Sequence, residues 1–63
     1  MDPKDIFELI IKADEKLKYA TDANASVRQA QARELLEQAR DEARAIDNDA
    51  LVQQAETRLA DLP

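Results

Sequence analysis

Cysteine, histidine, glycine and tryptophan are all absent from this chain. The first two absences remove disulfide staples, metal centres built on thiolate or imidazole, and any histidine general base. The third removes glycine-rich phosphate loops. Proline stands only at positions 3 and 63, and phenylalanine and tyrosine occur once each. No apolar run is longer than that of Leu9 to Ile11, far short of a membrane span. The start, Met1-Asp2-Pro3-Lys4, lacks the basic region and long apolar segment of a secretory signal. The expectation is a cytoplasmic protein without a membrane partner, and the missing cysteine agrees with a reducing compartment.

What is present is a chain of 63 residues, 37% of them charged, with fourteen acidic side chains against nine basic ones and a net charge of -5. A chain so short buries only about 60% of the surface its unfolded form exposes, and its stability falls at about 3 to 9 kcal/mol. That leaves room for one domain, residues 1–63. With no disulfide and no metal site, the chain must rely on well-packed helices or on association with something else. The acidic balance opposes nucleic acid, whose phosphates need a positive field, and the basic residues are interleaved with acidic ones.

Abundant alanine, leucine, glutamate, glutamine and arginine favour helix almost everywhere. Asp2 is placed to cap a first helix with Pro3 at its first position, Asp5 at the capping-box acid and Met1 stapling onto Ile6. This helix is predicted over about 3–20. Ile6, Ile10, Ala13, Leu17 and Ala20 recur on it at spacings of four and three, which sets them on one stripe, widened by Phe7 and Leu9. A stripe that broad serves two neighbouring helices.

The run Thr21-Asp22-Ala23-Asn24-Ala25-Ser26 favours a turn, because its side chains compete for backbone hydrogen bonds. Ser26 with Gln29 reads as a capping box, and Asp22 or Asn24 would cap an earlier start. The second helix is predicted over about 26–46, with Ala32, Leu36, Ala39, Ala43 and Ile46 inward and Leu35 beside them. Alanine at successive turns lets another backbone come close, which marks this helix as the central one. Outside, Arg33, Glu37, Arg40 and Asp41 are spaced to lace a solvated face. Asp47-Asn48-Asp49 makes a second turn, with Asp47 as N-cap and Ile46 stapling onto Leu51. The third helix is predicted over about 48–62, with Leu51, Val52, Ala55, Leu59 and Leu62 inward. Short connections make the neighbours antiparallel, so the fold class is all-α, an antiparallel three-helix bundle.

Residues Ala32-Arg33-Glu34-Leu35-Leu36-Glu37-Gln38-Ala39, then Ala43-Arg44-Ala45-Ile46-Asp47-Asn48, then Leu51, Ala55, Leu59, Ala60 and Leu62, resemble tetratricopeptide-type repeats. In those repeats a helix with alanine and leucine at such spacings runs through a short turn into the next repeat. The resemblance covers roughly residues 30 to 62 and more loosely the first helix. It implies about one and a half repeats with tetratricopeptide-like helix-turn-helix packing. Asp47 stands where such repeats often use glycine, the first connection is longer than usual, and Phe7 alone represents the large aromatic of the leading helix. An unrelated three-helix bundle remains the alternative.

No constellation points to catalysis, and no catalytic residue, cofactor or metal is expected. Asp14 and Glu15 point about 100° apart and nothing converges with them. Ser26 has no base to activate it and reads as a cap. Asp47, Asn48 and Asp49 lack the glycine and distal glutamate of a calcium loop. Lys12 and Lys16 share a flank that suits an acidic peptide, but Glu8 and Glu15 nearby largely neutralise it.

The misfit is on the first helix. Ile11 lies about 140° from the centre of the stripe, and Tyr19 lies on the opposite flank. Ile11 beside Phe7 builds an exposed apolar strip, and Tyr19 is a large amphipathic contact of the type enriched at interfaces. A further oddity is that all four lysines precede all five arginines.

The leading expectation is therefore a non-catalytic interaction module that presents a helical surface to a protein or peptide, through Phe7, Ile11, Lys12 and Tyr19. The alternatives are a structural bundle whose copies associate by stacking end helices, and an engineered scaffold with no natural partner.

Overall fold

The computed structural model describes all 63 residues as three helices and no strand. They are α1 (Pro3–Lys18), α2 (Ala25–Ala45) and α3 (Asp49–Asp61). Each lies within a residue or two of its predicted bounds. Two antiparallel turns join them into a body of 38 × 19 × 13 Å.

α1 starts where Pro3 is preset for the first helical turn. Asp2 holds the N-cap position, and its carbonyl accepts from the Ile6 N–H at 3.0 Å, while its side chain makes no capping bond. The helix ends at Lys18 with Tyr19 as C-cap, two residues before the predicted end, so Ala20 belongs to the connection and is half-buried. The N-cap of α2 is Asn24 and not Ser26. Asn24 turns its Oδ1 back to accept from the Thr21 N–H at 2.6 Å, and its own N–H donates to the Thr21 carbonyl at 3.1 Å. Asn24 therefore closes the loop rather than capping the helix with its side chain, and Ser26 stands exposed in the first turn.

The second turn differs from its expected form by one residue. Ile46 is the C-cap of α2, and Asp47 follows with φ at 55°, in the left-handed region. Asp47 N–H donates to the Arg44 carbonyl at 3.1 Å and Asn48 N–H to the Ala43 carbonyl at 2.8 Å. This pair of bonds is the Schellman ending of a helix, made here without the glycine that usually takes the left-handed position. Asn48, not Asp47, is the N-cap of α3, and its Oδ1 accepts from the Leu51 N–H at 3.1 Å. The shift puts Asp47 in the place of the expected apolar staple. Ile46, predicted inward, is exposed at the helix end.

The core is Ile6, Ile10, Ala13, Ala32, Leu36, Ala39, Ala43, Leu51 and Ala55, with Leu9, Leu17, Leu35, Val52, Leu59 and Leu62 packed half-buried around it. All nine come from the predicted stripes, and five are alanine. Four large side chains thus supply most of the buried apolar volume, and the alanines supply close approach. No polar or charged residue is buried as a whole. At the level of single atoms, Gln31 Oε1 is buried without a hydrogen-bond partner.

α2 is the common neighbour: α1 and α3 each pack along it and meet one another far less. The principal link between the outer helices is the Arg58 Nε, which donates to both oxygens of Asp14 at 2.9 and 3.1 Å. Arg58 is steadied by a further bond from its Nη1 to the Gln54 carbonyl at 3.3 Å. Arg44 of α2 pairs with Glu56 of α3 at 2.9 Å, and the terminal ammonium of Met1 lies 3.5 Å from Glu42. On the outer face of α2, Arg40 pairs with its neighbour Asp41 at 3.1 Å, and no bridge from Arg33 to Glu37 forms. The accessible surface is 4147 Å², against about 4,100 Å² for a compact monomer of this mass. The chain is thus already as compact as an ordinary monomer, with no unusually open core to complete.

Candidate functional site

The features that stand out are side chains that the core does not take up. The large exposed hydrophobics are Met1, Phe7, Ile11, Tyr19, Val27 and Ile46. On α1, Ile6 and Ile10 are fully buried while the residues directly after them, Phe7 and Ile11, are 43% and 37% exposed. The cause is the helix period. One step along the chain turns the side chain by about 100°, so both leave the core face together and stay one turn apart on the same flank.

The flank can be placed in the molecule. Asp14, seven residues after Phe7, returns to within about 20° of it, and Asp14 is the residue that binds Arg58 of α3. The Phe7 edge of the strip therefore adjoins α3, and Ile11 lies further round towards solvent. Lys4 continues the strip at one end and Lys18 at the other, and both are exposed. Two apolar side chains framed by charges can take an apolar contact of matching size and fix its direction by the charges at its ends.

The four residues expected to make a contact are not brought together. Phe7 and Ile11 form one strip. Lys12 is about 100° round from Ile11 and belongs to the outer face. Tyr19 is the C-cap, 62% exposed, beyond the last turn. The Lys18 Nζ sits 5.6 Å from the centroid of its ring, a cation–π distance that anchors the ring at this end of the bundle. Sequence reasoning missed Val27, which is more than half exposed in the first turn of α2. The register test that singles out Ile11 would have found it, since Val27 lies about 140° from Ala32. Because α1 and α2 are antiparallel, Val27 and Tyr19 share one end of the molecule.

No pocket opens on the surface. No group of three or more acidic side chains converges on a point where a cation would sit. No helix is long and apolar enough to cross a membrane. No protein-family model, curated protein or solved structure matches this chain, so the fold and the strip on α1 are what bear on its role.

Proposed function

We propose that the chain is a non-catalytic interaction module, tetratricopeptide-like in its packing, that presents a face of α1 to a protein or peptide. The observation that carries this reading is the pair Phe7 and Ile11, exposed one turn apart on a helix whose other large aliphatics are buried or half-buried. A folded chain gains nothing from leaving both out of its core, whereas a partner that covers them would gain their burial. The tetratricopeptide-like part is supported by the alanine face of α2 against both neighbours and by the short turn from α2 into α3. Lys12 and Tyr19 enter the proposal as a separate, more polar contact, since the helix holds them off the strip.

A displayed library of random peptides selected on the wild-type chain tests this. The enriched peptides are expected to bind Ile11→Asp at least about tenfold more weakly, a loss of about 1.4 kcal/mol. Both chains should show the same helical circular dichroism, because Ile11 lies outside the core. Peptides that bind equally well to Ile11→Asp and to Tyr19→Ala would overturn the assignment of the surface.

A further inference from the structure

We propose that the Phe7 and Ile11 strip seats the same strip of a second copy, with the two α1 helices antiparallel. This rests on the reading of that strip as a contact surface and names its occupant. The argument is the order of residues along the strip. Phe7 and Ile11 lie two residues to either side of the level of Leu9, and Lys4 and Asp14 lie five residues to either side of the same level. A second α1 turned end for end about that level sets Phe7 against the partner's Ile11, and Lys4 against the partner's Asp14. The two-fold symmetry makes each contact occur twice, as an isologous interface requires.

Both charges are available for it. Lys4 is exposed and makes no ion pair within the chain. The Asp14 side chain is 43% exposed, and a carboxylate that accepts from one guanidinium nitrogen has acceptor positions left. Lys4 and Asp14 stand about 40° to either side of the centre of the strip, so the pair closes diagonally, within the reach of a lysine stem. A parallel arrangement would set Lys4 on Lys4. An acidic peptide on this strip would face Asp14, and a basic one would face Lys4 and Lys18, whereas a second copy answers Lys4 and Asp14 and leaves Lys18 beyond the start of its own α1. The strip is small and each copy carries a charge of -5, so the dimer is weak, with an interface below about 1,200 Å².

Sedimentation equilibrium of the full chain from micromolar to millimolar concentration tests the proposal. The wild-type mass should rise from 7.1 kDa towards twice that value. Lys4→Glu and Asp14→Lys should each stay monomeric, because each sets like charges opposite one another twice. Their equimolar mixture should associate again, since every pair then has opposite signs. Because Asp14→Lys also removes the partner of Arg58, a second readout leaves that pair intact. The chain has no cysteine of its own, so a mixture of Phe7→Cys and Ile11→Cys chains oxidised at high concentration should give the mixed disulfide in preference to either homodimer.

A wild-type chain that is monomeric at millimolar concentration overturns the proposal, and the role of the strip then stands or falls on the peptide selection. Association that survives Lys4→Glu, or a thiol mixture with no preference for the mixed product, also overturns it.

Discussion

Asp47 carries the chain's one positive φ, at 55°. A side chain in the left-handed region crowds its own Cβ against the following carbonyl, at a cost of about 1 to 2 kcal/mol that aspartate partly offsets with its short polar group. Its charge is felt twice, unfavourably by the carbonyl end of α2 and favourably by the amide end of α3, and these effects largely cancel. Asp47→Gly is therefore expected to raise stability by about 0.5 to 1 kcal/mol, the larger freedom of glycine in the unfolded chain taking back part of the gain. Asp47→Ala should lower it by a similar amount, and urea midpoints of the two variants check both. At this scale the sequence was only partly legible. The run from Asp47 to Asp49 announced a turn and a cap, but adjacent residues of one chemical type compete for one capping position. Asn48 takes it because Asp47 is already committed to ending α2. Ser26 lost its expected role for a different reason: the N-cap falls two residues earlier at Asn24, whose side chain is turned back onto the Thr21 N–H.

The elements were read most securely where small and large apolar residues recur at three and four. The stripes on α1 and α2 placed Ile6, Ile10, Ala13, Ala32, Leu36, Ala39 and Ala43, all fully buried. They failed at their ends, at Ala20 and Ile46, because a stripe continues in sequence after the helix that gives it direction has stopped. The alanines of α2 make a testable statement about packing. Ala39→Leu raises the apolar content of the core, yet it has no room between close backbones and should cost about 1 to 3 kcal/mol. Gln38→Leu, one residue away on the exposed face, should change stability by less than about 0.5 kcal/mol. Thermal unfolding of the two variants separates a volume effect from a hydrophobicity effect. Ile11 was legible as an outer residue for the same reason as the core, since a register that fixes the inward positions also fixes what is left outside, whereas Phe7, read as widening the inward face, is left exposed beside it.

In the whole molecule, α3 is the shortest helix and is tied to α1 chiefly through Asp14 and Arg58. It should open before the other two. Native-state hydrogen exchange is expected to show α3 amides exchanging faster than those at the centre of α2, and Arg58→Met should speed α3 further while leaving the centre of α2 unchanged. Uniform protection across all three helices would count against this order. The alanine stripe marked α2 as the central helix, as it is, but how little α1 and α3 meet was not written in any one stripe. It follows from how two helices settle against the alanine face between them, a relation among residues distant in the sequence. Its consequence is a form of independence. Because α1 and α3 answer mainly to α2 and hardly to each other, a change on one should add to a change on the other without interaction, the pair at Asp14 and Arg58 excepted. Either outer helix can then be remodelled, by drift or by design, while the other keeps its place.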